Sequence, residues 1–155
     1  MRSEPVWIVV LNATRARILR SLPEDGAPAR TELALRSEHR RLKRVIADGG
    51  PVQSPGGGAA PDRGVEALRY DQVDFLRRVV DLLATHLAAG DFDGLAVFAE
   101  PRTLDLLSEI APPFLARRIV VQRPLNLIHL PPPDLATAVS RALRNGDGSD
   151  RGRWW

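Results

Sequence analysis

The sequence predicts an α/β domain built on a five-stranded mixed sheet in the order 3-2-1-4-5, with strand 2 antiparallel and helices on both faces. Three observations carry this. Val6–Leu11 and Leu95–Ala99 are short, wholly apolar runs rich in strand formers, the pattern of strands buried on both faces. Asp71–Ala89 carries Val73, Leu76, Val80, Leu83 and Leu87 at spacings of three and four, one apolar stripe on a helix. The element order β-β-β-α-β-α-β-α is a meander followed by βα units. Right-handed crossovers then set strands four and five beside strand one, parallel to it.

Val6–Leu11 is strand one, and Asn12-Ala13-Thr14 supplies turn chemistry. Arg15–Leu22 alternates, with Ala16, Ile18 and Arg20 on one face and Arg15, Arg17 and Leu19 on the other. The two runs read as a hairpin. A Pro- and Gly-containing link, Pro23 to Pro28, leads to a third expected strand in Thr31–His39, where Leu33 and Leu35 alternate with Glu32, Ala34 and Arg36. Gly49–Gly64 is rich in Gly and Pro and is expected to be a loop. Structureless segments of that length are uncommon within a domain and are usually functional or disordered.

The helix Asp71–Ala89 opens with Asp71 and Asp74 at the positive end of its dipole and is capped by Gly90. Leu95–Ala99 is the central fourth strand. Pro101 opens a second helix, with Leu104, Leu107 and Ile110 inward, that stops before Pro112-Pro113. Ile119–Gln122 is the fifth strand. Pro131–Pro133 lead into a last helix with Leu135, Val139, Ala142 and Leu143 inward, ending near Gly146. Residues 1–145 thus read as a single domain and 146–155 as a flexible tail ending in Trp154-Trp155. The layout is that of the ribonuclease-H-like architecture.

The chain of 155 residues has no cysteine, which removes disulfides, thiol catalysis and Cys-ligated zinc from consideration. No stretch approaches the roughly 20 apolar residues that span a bilayer. The apolar run near the start is short for a signal-peptide core and is preceded by Glu4. A cytoplasmic protein is expected. The net charge is +3, too small to mark a nucleic-acid-binding protein by itself. It is not spread evenly. Arg36, Arg40, Arg41, Lys43 and Arg44 fall within nine residues that hold one acid, Glu38, a local charge of +4. Guanidinium forks pair well with phosphate oxygens, so this stripe is the candidate RNA-binding footprint. No aromatic residue is interleaved with it in sequence, which weighs against a single-strand stacking platform.

Other chemistries find less support. A two-metal nuclease needs clustered carboxylates. Strand one has no acid, Asn12 follows it, and Glu100 ends strand four, with Asp74 or Asp134 as the acids that could approach. Glu100 and Asp134 also suit plain helix N-termini. His39, His86 and His129 do not share a metal-binding spacing. His86 suits a helix C-terminus, and His129, between Ile128 and Leu130, is expected to be partly buried. Gly56-Gly57-Gly58 lacks the Lys-Ser/Thr of a phosphate loop, and no Ser occupies a nucleophile elbow. No catalytic residue, cofactor or metal is assigned.

VWIVVLNATRARIL, GDFDGLAVFAEPRTLDLL (Gly90–Leu107) and Asn126-Leu127-Ile128-His129-Leu130-Pro131 together resemble the bacterial host-attachment protein family. Its members open with a strand, a turn and an Ala-Arg-Ala-Arg-like second strand; here that segment is Thr14-Arg15-Ala16-Arg17. The family is similar in turn to the central domain of archaeo-eukaryotic peptide-chain release factors. The resemblance implies the same meander, a Gly-rich loop before a long helix, and RNA or ribosomal partners, while the family's name points to a protein-interaction role in attachment. In release factors the loop carries contiguous Gly-Gly-Gln. Here Gly49-Gly50 are followed by Pro51-Val52, and Gln53 comes two places late. A non-enzymatic module that binds RNA or a ribosomal partner is therefore expected ahead of a residual hydrolase that uses Gln53.

Overall fold

The apolar run at the start forms β1 (Val6–Leu11) in the middle of the sheet, where both of its faces are covered. The computed structural model describes residues 6–21, 33–47 and 63–145. Alternate residues of β1 enter two cores. Trp7, Val9 and Leu11 face one, and Ile8 and Val10 face the other. A strand buried on both sides must be apolar at every position, which is why the run shows no polar alternation.

Asn12 makes the turn after β1. Its Oδ1 accepts from the Thr14 amide at 2.9 Å and the Arg15 amide at 2.7 Å, so the side chain stands in for a backbone turn acceptor. β2 (Arg15–Leu19) returns antiparallel to β1, and β3 (Leu33–Arg36) is antiparallel to β2. β4 (Gly94–Phe98) and β5 (Ile119–Arg123) follow on the other side, each parallel to its neighbour. The order is β3-β2-β1-β4-β5, as the sequence predicts.

Among the described residues five helices accompany the sheet: α1 (Arg40–Ala47), α2 (Arg63–Ala88), α3 (Pro101–Ile110), the single turn α4 (Pro113–Ala116) and α5 (Pro132–Asn145). Phe75, Leu76, Val79, Val80 and Leu83 of α2 and Leu104 and Leu107 of α3 close the first core. Leu135, Ala136 and Val139 of α5 close the second. α2 ends at Gly90, whose φ of 81° lies in the left-handed region. The Gly90 amide donates to Leu87 O at 3.0 Å and the Asp91 amide to His86 O at 3.0 Å, a Schellman cap that glycine makes without strain.

Arg17 ties the two halves of the second face together. Its Nη1 donates to Leu130 O at 2.6 Å and to Ile128 O at 3.2 Å, holding the segment between β5 and α5 onto β2. Burial first, and the like charge of Arg15 second, push its pKa below the ordinary guanidinium value. Arg17→Met keeps the apolar stem but strands two carbonyls. A loss of about 2 kcal/mol in urea denaturation is expected; an unchanged midpoint would show the clamp to be idle.

Several boundaries differ from the sequence reading. β3 ends at Arg36, not His39, and the basic residues from Arg40 onward, to which the sequence reading gives no element, form helix α1. His39 has a φ of 51°, which turns the chain out of β3. α2 begins at Arg63, eight residues before the expected Asp71. Arg63 and Gly64, expected in the loop, are therefore helical; the rest of Gly49–Gly64, with Gly49, Gly50 and Gln53, lies outside the described residues, as does the 146–155 tail. The turn α4 was not expected; its Leu115 is buried in the first core. His129, expected to be partly buried, is exposed, because Ile128 before it takes the inward position in the second core.

Candidate functional site

The site is built around α1, which has no buried residue of its own. Leu42 and Val45 are half-buried, three apart on one side of the helix; Arg40, Arg41, Lys43 and Arg44 are charged, and Ile46 is exposed. Such a short helix is marginal alone. Its missing stability comes from Asp71, a residue 4 % exposed in the body of α2. Asp71 Oδ1 accepts from the Arg41 amide at 2.9 Å, and Oδ2 accepts from the Leu42 amide at 3.0 Å. These are first-turn amides that have no partner within the helix. A carboxylate from another helix thus caps α1 and meets the positive end of its dipole. Asp71 was expected to serve the start of its own helix; because α2 starts earlier, it serves α1 instead.

The cap fixes which way the basic residues point, and it divides the stripe. Arg36 is exposed on β3, opposite Arg15 in register, and its carbonyl accepts from Arg78 Nη1 at 3.1 Å. Arg40 pairs with Glu38 at 2.9 Å. Lys43 is exposed. Arg41 and Arg44 face a groove between α1 and α2. Arg63 lines it too, with Glu66 and Tyr70; its volume is about 350 Å³. Among the described residues, three that bear guanidinium and one carboxylate line the groove and make it cationic.

Tyr70 and Arg63 are the residues that sequence reasoning missed. Tyr70 is 50 % exposed, and the Arg41 guanidinium carbon lies 4.9 Å from its ring centroid, a cation–π distance. Arg41 Nε also lies 3.4 Å from Asp74 Oδ2. No aromatic residue is interleaved with the stripe in sequence, but α2 brings Tyr70 to it across the groove. The available signal was a tyrosine one residue before Asp71, legible only if the helix is begun at Arg63.

A second cavity, of about 240 Å³, lies on the other side of α1 among Glu38, His39, Arg40, Asp74 and Arg78. There the cations are matched: Glu38 meets Arg40 at 2.9 Å and Arg78 at 4.0 Å. His39 Nδ1 is buried with no hydrogen-bond partner. The Arg40 hydrogen bond, then Arg40's charge, holds the Glu38 carboxyl below its usual range. A depressed carboxyl favours the folded form above its unfolded pKa, and that preference fades as pH falls through the folded value. In an NMR titration the Glu38 carboxyl is expected to titrate low, and to move up towards the ordinary glutamate value in Arg40→Ala. An unmoved pKa would discount the pair.

Glu100 stands elsewhere, at the ends of β1 and β4, beside Asn12, Gln72, Arg102 and Thr103 in a polar cavity of about 270 Å³. Asn126 Nδ2 donates to its Oε1 at 3.1 Å. Asp74 faces Arg41 and is not among the residues lining this cavity, and Asp134 lies in the first turn of α5. No group of three His, Asp or Glu side chains able to hold a metal occurs among the described residues. His86 Nδ1 lies 2.7 Å from Asp91 Oδ2, with its ring against Trp7, so it joins the end of α2 to the core. No helix among the described residues is long and apolar enough to cross a membrane.

The fold and site define a five-stranded α/β domain that carries a cationic groove between two helices outside its sheet. The chain belongs to the family described as "protein required for attachment to host cells", which matches residues 7–139. No curated protein matches the chain. Among solved structures it is similar to the archaeal translation termination factor aRF1, at 11 % identity and a TM-score of 0.46. That likeness covers 91 % of this chain and 39 % of the termination factor.

Proposed function

We propose that this host-attachment-family protein is a non-enzymatic module that binds RNA through the α1–α2 groove. The observation that carries the reading is the convergence of Arg41, Arg44 and Arg63 on one groove where, among the described residues, Glu66 is the lining carboxylate. Planar guanidinium forks suit phosphate oxygens, and closely placed cations gain by releasing counterions from a polyanion. Lys43 extends the positive surface along α1, whereas Arg40 is matched by Glu38, and Arg36 lies beyond on β3. A cytoplasmic location accords with an RNA ligand. The family's description names an outcome for a cell, attachment, rather than a chemistry; on this reading attachment is reached indirectly.

The nuclease reading gains less support, while Gln53 of the hydrolase reading lies outside the described residues. Glu100 is accompanied by two amides, two hydroxyls and an arginine among the described residues rather than by further carboxylates, and amides are poor ligands for hard divalent metals. The direct test is fluorescence anisotropy with a labelled single-stranded RNA across a salt series. Binding that weakens steeply with salt is expected. An absence of binding at low salt would defeat the proposal.

A further inference from the structure

From the arrangement around Arg41 we infer that the groove takes an unpaired nucleotide, with the Arg41 guanidinium as the surface on which its base stacks. This rests on the RNA reading above and narrows it to single strands. Arg41 is placed by three contacts. Its backbone amide is bound to Asp71, its Nε lies beside Asp74, and its guanidinium carbon lies over the Tyr70 ring. Two of these act on the side chain, one at Nε and one that sets the guanidinium carbon over the Tyr70 ring. Arg41 is still 56 % exposed, so the guanidinium remains accessible from the groove. A flat cation backed by an aromatic ring is a surface on which an unpaired base stacks.

Arg44 and Arg63 line the same groove and supply fixed positive charge for the phosphates on either side of the base. Neither needs to be planar for that purpose, whereas Arg41 does. The two roles are therefore separable. A lysine at position 41 retains the charge and loses the plane. A stacking base also requires an unpaired strand, because a paired base keeps its faces covered by its own neighbours.

The test compares a short oligoadenylate with an abasic ribose-phosphate oligomer of the same length and charge, using wild type, Arg41→Lys and Tyr70→Leu. Wild type is expected to bind the oligoadenylate at least about fivefold more tightly than the abasic strand. Both variants are expected to lose that preference, read as the ratio of the two affinities within each variant. Circular dichroism and thermal melting confirm that both are folded. Equal binding of the two strands by wild type, or a preference unchanged in Arg41→Lys, would overturn stacking and leave phosphate binding intact. Failure of wild type to bind either strand would overturn the RNA reading and the stacking with it.

Discussion

Asp71→Ala is expected to release α1 from α2 while leaving the sheet folded. The carboxylate accepts two backbone amides at 2.9 and 3.0 Å from a position that is 4 % exposed. Hydrogen bonds to a buried charged acceptor contribute about 1.5–3 kcal/mol each, and their loss strands two donors at a helix start. Removal of the pair is expected to cost about 3 kcal/mol, roughly a hundredfold in the opening equilibrium of α1.

The consequence is local because α1 buries no residue fully and contributes none to either core. The sheet and α2 keep their own contacts when it leaves. Hydrogen exchange is the appropriate measurement, since it separates opening of one element from global unfolding. The amides of residues 43–47 should lose protection, while those of β1 and β4 keep theirs. Asp71→Asn should fall between, because its amide retains one acceptor oxygen and sets a donor against the other backbone amide. Unchanged exchange in α1 of Asp71→Ala would show that Leu42 and Val45 alone hold the helix. RNA affinity should fall together with α1 protection, since two of the three groove cations ride on that helix.

How much of this was legible in the sequence follows from where the stabilising contacts lie. β1, β4 and the stripe of α2 announce themselves because each is apolar over its own contiguous or periodic residues. The sheet order follows from those elements and the handedness of crossovers. α1 did not announce itself because its helical state depends on Asp71, about thirty positions away, and on half-buried contacts from Leu42 and Val45. Taken locally, RRLKRVIA is a charge run; docked, it is a capped amphipathic helix. The same dependence hid the site. The basic stripe was visible as composition, but which of its members share a groove was decided by α1's helical turn and by the early start of α2, which brings Arg63 and Tyr70 to Arg41. Glu100 shows the converse: its place at the end of β4 was readable, whereas its companions Asn12, Gln72 and Asn126 are set by three separate segments.

Simultaneous replacement of Arg41, Arg44 and Arg63 by glutamine is expected to have the largest effect on binding. Each phosphate neutralised on a single strand contributes about −0.7 to the slope of log affinity against log salt. Two such contacts, at Arg44 and Arg63, give a slope of about −1.4, which is roughly a 7-fold loss between 50 and 200 mM salt. The triple variant, which also lacks the Arg41 stacking surface, should therefore bind weakly at low salt and show a slope shallower by about 1.4. Loss of net charge alone would weaken any polyanion's binding, so a matched control is needed. Arg117 and Arg118 follow α4 and Arg141 lies on α5; all three are exposed and none lines the groove. Glutamine at those positions removes the same charge. If the groove is the site, that control keeps most of the wild-type affinity and slope, because charges more than a Debye length of about 10 Å from the ligand are largely screened at 0.1 M salt. Equal losses in the two triple variants would mean that RNA is drawn by the protein's overall charge, and the groove would lose its claim.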